Sequence, residues 1–197
     1  MACSKKITAN IIFDCADSPL KGLDGGEAII LNYEDIDKGA STQTGAILDT
    51  ITMLGATTGQ LVQWYRELAS VATALTRNAE DFDGFSHSFL ARLATTSAAN
   101  AERANELKNG RFVVVVKTSY KGGTAGDEAD KYKVFGWDAG LELSELAGNS
   151  NENSSSLLFT LATREGTYEK YPYNILFAGG VAEPTESDAV YDALKPA

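Results

Sequence analysis

The chain is poor in the residues that most often carry chemistry. Among 197 residues there is one histidine, His87, and two cysteines, Cys3 and Cys15. Two thiols and one imidazole cannot build a disulfide scaffold or a tetrahedral zinc site. A Ser-His-Asp arrangement could use His87 alone. Basic residues are also few: 17 Lys and Arg stand against 27 Asp and Glu, a formal net charge of −10. Tight phosphate binding needs clustered Lys and Arg, so a nucleic-acid groove is disfavoured. Apolar runs such as Phe112 to Val116 are far too short to span a bilayer. The opening Met1-Ala-Cys-Ser-Lys-Lys has the Ala-Cys pair of a lipoprotein site without the apolar run that precedes one. The expectation is therefore a soluble protein made in the cytoplasm, with no membrane anchor. Asn153-Ser154-Ser155 fits the glycosylation pattern, which carries no weight without a signal peptide.

What is present suits one domain with a sizeable core. The apolar fraction is 44%, ordinary for a globular chain. Charge is uneven: residues 1–60 balance at −4, residues 61–137 at +1 and residues 138–197 at −7. Such a gradient fits a solvated surface, and equally a polar assembly with acidic ends.

The pattern reads as mainly β with one clear helix. Apolar or alternating stretches predict strands at 7–13, 28–36, 44–53, 85–93, 112–116, 132–135, 141–146 and 157–162. Phe112-Val-Val-Val-Val116 is apolar at both parities and predicts a strand buried on both faces. Residues 97–108 predict the helix, with Ser97 as cap, an alanine-rich body and a left-handed stop at Asn109-Gly110. Residues 60–77 are ambiguous, because Leu61, Trp64, Tyr65, Leu68, Val71 and Leu75 fall at helical spacing while the flanking glycines suit two strands and a hairpin. Tyr168 to Phe177 predicts an aromatic strand broken by Pro172, hence an edge. The acidic tail after Gly179-Gly180 predicts an extended arm or short helix. The sum is a β-sandwich or partly closed barrel with one flanking helix: a single β domain over residues 1–180 and an acidic arm over 181–197.

Signals of chemistry are weak. Lys121-Gly-Gly-Thr-Ala-Gly126 is glycine-rich but lacks a phosphate loop's Gly-Lys-Ser/Thr ending, so it reads as a hairpin loop. Asp81-Phe-Asp83-Gly84 lacks the further acids of a calcium loop, with Ala79 and Leu90 in their places. Asp35 and Asp37 could hold a metal with phosphates, but suit a solvated strand end better. His87 lies on an apolar face between two serines, as a buried, hydrogen-bonded histidine does. Cys3 and Cys15 read as free thiols in a reducing compartment. No catalytic, cofactor or metal residue is expected. The aromatics Trp137, Tyr168, Tyr171, Tyr173 and Phe177 are the candidate subunit-interface residues, since edge and turn aromatics are enriched at interfaces.

One resemblance joins these pieces. The strand Phe85-Ser-His-Ser-Phe89, the helix ending Glu106-Leu-Lys-Asn-Gly110 and the strand Arg111-Phe-Val-Val-Val-Val116 come first. Tyr120-Lys-Gly122, Tyr132-Lys-Val-Phe-Gly-Trp-Asp-Ala-Gly-Leu141 and Leu157-Leu-Phe-Thr-Leu161 follow. In this order they resemble the major tail tube proteins of tailed bacteriophages, particularly those of gut Bacteroides-type phages. The resemblance covers about two thirds of the chain and rests on strand and turn patterns, with no catalytic signature. It implies a virion structural protein of the phage tail, made in the host cytoplasm, and no enzyme. Six copies would form a ring whose inner sheets join edge to edge, and rings would stack into a tube. Partners would be further copies of the chain and other tail proteins such as the tape measure and terminator. Genomic DNA would pass through unbound. It also resolves residues 60–77 as strands. Alternatives are another virion or injection-system part (tail terminator, decoration or inner-tube protein) and a small-ligand-binding β protein or enzyme using His87 or Asp35 with Asp37.

Overall fold

The computed structural model describes residues 23, 26–64, 69–77, 83–93, 97–118, 131–148, 157–178 and 184–196. The valine run forms strand β7 (Phe112–Lys117) at the centre of a first sheet. On one side β7 pairs with β1 (Glu27–Asn32), and β4 (Gln60–Gln63) pairs with β1 beyond it. On the other side lie β8 (Tyr132–Phe135), β11 (Asn174–Leu176), β3 (Ile47–Thr50) and β2 (Thr42–Thr44), in that order. The β11–β3 pair is parallel and the others are antiparallel. A second sheet runs β9 (Leu141–Gly148), β10 (Leu157–Thr163), β6 (Gly84–Leu93) and β5 (Ser70–Thr76), antiparallel throughout.

The two sheets meet at one corner. β9 keeps a single pair with β7, Leu141 to Phe112, and then leaves for the second sheet. The turn between β8 and β9 begins and ends on glycines with φ of 77° and 80°, Gly136 and Gly140. A Cβ on Gly136 would also press on the Leu141 side chain and the Phe112 carbonyl. Backbone without a side chain is thus what lets the strand change sheets there.

Alternation along β7 divides the interior. Phe112, Val114 and Val116 join Phe89, Ala91, Phe159 and Leu161 in a cluster between the sheets. Val113 and Val115 face the other way, with Ile29, Leu31 and Val134. Tyr191 and Leu194 cover this second cluster from helix α2 (Pro184–Ala193) and the turn after it. The first sheet is therefore buried on both faces, as its apolar runs require, and the second on one.

The expected sandwich is present, and the sheet does not close into a barrel. Two helices flank it where one was expected. Helix α1 (Ala98–Leu107) starts as predicted: Ser97 Oγ accepts the Asn100 N–H at 3.3 Å. Its stop differs, since Gly110 has no positive φ; the glycine is needed because a Cβ would overlap the Phe112 ring. The acidic tail takes its helical form and docks: Tyr191 stacks on Tyr132 at 4.3 Å, and Asp188 accepts from Lys131 and the Tyr132 hydroxyl. Residues 60–77 contain β4 and β5 rather than a helix. The stretch 44–53 is not one strand, because β2 and β3 form a hairpin across Gly45, whose φ is 64°. The strand expected over 168–177 shrinks to β11 and lies inside the first sheet, not at an edge. Ile7 to Phe13, Cys3 and Cys15 and the loop 121–126 lie outside the described residues.

Candidate subunit interface

The corner turn is held by many hydrogen bonds, and it brings together His87, Trp137 and Tyr171 from among the residues the sequence singled out. The Gly136 N–H donates to His87 Nδ1 at 3.1 Å, so the imidazole proton sits on Nε2, which donates to the Tyr171 carbonyl at 2.9 Å. His87 is 1% exposed, and its ring meets Phe135 edge-on at 5.4 Å between centroids. Burial holds its pKa below the ordinary histidine value, opposed by the carbonyls of Tyr171 and Pro172. Glu169, also 1% exposed, accepts the Asp138 and Ala139 N–H groups at 2.8 and 2.9 Å. Desolvation raises the Glu169 pKa, and those two bonds offset only part of the rise. Lys38 Nζ donates to the Trp137 carbonyl and lies 3.1 Å from the Trp137 ring centroid. Its pKa is pushed down to about 8 by burial, against the pull of Asp138 and Glu169. The Tyr33 hydroxyl donates to the Asp138 carbonyl at 2.6 Å. Backbone groups of four successive turn residues are thus tied to β6, to the Tyr33 turn, to Lys38 and to the 164–173 segment. This is a structural clasp, with every hydrogen-bonding atom of His87 committed. Sequence reasoning missed Glu169 and Lys38. A lone Glu within an aromatic segment and a Lys beside a glycine give no periodic signal.

The five aromatic candidates do not share one surface. Trp137 is buried and donates through Nε1 to Gln43 at 3.0 Å, and Phe177 is buried beside β3. Both belong to the subunit's interior. Tyr168, Tyr171 and Tyr173 are half-buried along the segment that crosses β6. Tyr168 lies against Gly84, where a Cβ would collide with it, and Tyr173 packs on the inter-sheet cluster under Lys133.

Among the described residues β5 pairs only with β6, and β9 beyond Leu141 pairs only with β10, so both edges of the second sheet are open. Each edge carries an exposed leucine: Leu75 is 55% and Leu146 44% exposed. The register gathers small residues on the face away from the core. Ala72, Ser88, Ala162 and Glu142 form one row across the strands, and Ser70, Leu90, Thr160 and Glu145 the next. No helix or strand among the described residues covers this face.

The acidic and imidazole candidates stay apart. Asp35 accepts from Asn32 in the Tyr33–Asp35 3-10 turn, and Asp37 accepts the N–H groups of Gly39 and Ala40. Both build turns, as Asp does. Among the described residues no three His, Cys, Asp or Glu side chains are grouped to hold a metal. β5 and β6 pair antiparallel up to Thr76 and Gly84, and Asp81 and Phe82 of the expected turn lie outside the described residues. A cleft of about 420 Å³ lies elsewhere, between β4 and α1. No family model, curated protein or solved structure matches the chain.

Proposed function

We propose that the chain is a structural subunit of a bacteriophage tail tube, forming rings that stack around a DNA-conducting channel in the virion tail. The observation that carries the reading is the second sheet: four antiparallel strands with, among the described residues, two open edges and an uncovered face of mostly small side chains. Strand directions alternate, so β5 and β9 run opposite ways. Rotation about an axis along the strands preserves direction. The β5 edge of one copy would therefore meet the β9 edge of the next in antiparallel order, and a ring would close without a parallel joint. The two edges also match in length, at 7 and 8 residues.

Six such sheets would line a wall of about 24 strands. At ~4.8 Å per strand the wall is ~37 Å across, wider when the strands tilt. Its lining of mostly Ala, Ser and Thr, with Leu90, Leu158, Glu142 and Glu145, would leave room for duplex DNA and offer phosphates little to hold. The net charge of −10 per copy works in the same direction.

Negative-stain electron microscopy of the purified chain at tens of micromolar, roughly where edge pairing populates, tests this. Rings or stacked tubes are expected, and Leu75→Lys should return monomers of unchanged circular dichroism, since a charge on an edge strand blocks pairing. Monomers at every concentration, or rings that survive Leu75→Lys, would refute the proposed joint. Single rings that never stack would favour a tail terminator over a tube.

A further inference from the structure

Among the described residues β4 pairs only with β1, and its other edge borders the 420 Å³ cleft. β4 forms one wall, and Arg103 and Leu107 of α1 line the other. Ile30, Phe112 and Phe159, all buried in the inter-sheet cluster, form its floor. An unpaired strand edge above an apolar floor is the arrangement that accepts an added strand: main-chain groups pair, and alternate side chains drop into the groove.

The chain itself arrives at this place. The Leu23 carbonyl accepts the Trp64 Nε1 proton at 3.1 Å, and the Gly26 carbonyl accepts the Trp64 N–H at 3.0 Å, one residue past β4. Leu23 packs on the same cluster that floors the cleft. Residues 1–22 precede it, outside the described residues. Within them, residues 7–13 read Ile-Thr-Ala-Asn-Ile-Ile-Phe, uncharged, with Ile7, Ala9, Ile11 and Phe13 at alternate positions. That is the period-2 pattern of a strand with one buried face. Nine residues separate Phe13 from Leu23, a reach of up to ~30 Å, more than twice the length of β4.

We propose that the cleft is the binding site for residues 7–13 of the same chain, added as a strand on β4 with Ile11 and its alternate neighbours turned toward the inter-sheet cluster. A short tether gives an effective concentration near millimolar, so the chain's own segment outcompetes a neighbour's below that. The added strand closes an edge that would otherwise pair non-selectively and leaves β5 and β9 as the open edges of the second sheet. The proposal stands without the tail-tube reading.

Residue-resolved amide hydrogen exchange on the full-length chain tests it, at about 1 and 100 µM. The outward-facing amides of β4 should exchange slowly at both concentrations. Ile11→Asp should speed them by about tenfold or more, and Asn10→Asp should leave them unchanged. Amides of Val113 to Val115 report whether the fold survives; if Ile11→Asp opens those too, Ile11→Ala is read in its place. Fast exchange in the unmodified chain, or insensitivity to Ile11 variants, would overturn the proposal. Equal response to Asn10→Asp would overturn the facing. Protection that disappears on dilution would assign the cleft to a neighbouring copy instead.

Discussion

Removing the Glu169 carboxylate should unlock the corner turn. In Glu169→Ala the N–H groups of Asp138 and Ala139 lose their acceptor. Lys38 loses one of the two acids that favour its charge. Two hydrogen bonds to a buried ion are worth about 1.5–3 kcal/mol each when the partners are left unpaired. Against this stands the cost of burying the charge, visible in the raised pKa of Glu169. The balance is a loss of about 2–4 kcal/mol, or a Tm lower by roughly 5–15 °C for a chain of this size. Glu169→Gln keeps one acceptor oxygen and should fall between the two.

The pH dependence gives a sharper check. A carboxyl whose folded pKa lies above its ordinary value of 4.5 binds its proton more tightly in the native state. Its share of stability is full below the ordinary value and lost as pH rises through the folded one. The stability gap between the unmodified chain and Glu169→Ala should therefore widen from neutral pH toward 4.5. Urea unfolding followed by tryptophan fluorescence reads both effects, since Trp137 lies in the clasp. A Glu169→Ala variant within ~0.5 kcal/mol of the parent, the range of a neutral surface change, would refute the clasp. So would a gap that narrows on acidification.

His87 titrates in the opposite sense. Its folded pKa is lowered, so the native state holds the neutral ring, and its share of stability falls as pH drops below 6.5. His87→Gln should remove that component from the urea midpoint between pH 7.5 and 5.5, roughly the window where histidine charges. Tyr191 is fully buried and its hydroxyl has no partner among the described residues, so Tyr191→Phe should be neutral or raise stability by up to about 1 kcal/mol. A clear loss by calorimetry would reveal a partner for that hydroxyl.

Much of the fold was legible because its signals are local. The valine run of β7 announced burial on both faces, and Ser97 with its alanines announced α1. The alternation of β6 placed His87 and Phe89 inward and Ser86 and Ser88 outward, as the register has them. Residues 60–77 were ambiguous because Leu61, Val71 and Leu75 satisfy helical and alternating spacing together, and pairing with β1 and β6 decides between them. β11 was misplaced because Pro172 marks the irregular segment before the strand, while the strand itself pairs on both sides. The clasp was illegible: Lys38 and Glu169 lie 131 residues apart, and only the corner between the sheets brings both to one turn. The aromatic candidates do not fall on one surface for a related reason, since composition reveals an aromatic cluster but not whether it closes a core or faces outward.

In the proposed tube, the arrangement of layers limits how copies could associate. α2 occupies the outer face of the first sheet and buries Tyr191 and Leu194 there, so that face is spent within the subunit. The outer face of the second sheet is rich in Ala, Ser and Thr, whose burial returns little hydrophobic free energy at about 25 cal/mol per Å². That leaves strand edges, where backbone hydrogen bonds and the flanking leucines would supply the attraction. Opposing them is the repulsion between chains that each carry −10. Edge pairing is short-range and nearly indifferent to ionic strength, whereas the repulsion is screened within ~8 Å at 0.15 M salt and over ~30 Å at 0.01 M. Assembly should accordingly strengthen as salt rises between those values, as read by sedimentation velocity. A surface that held phosphates would behave in the reverse way, losing affinity as counterions return. Association that weakens with salt would mean that charge complementarity, not edge pairing, joins the copies.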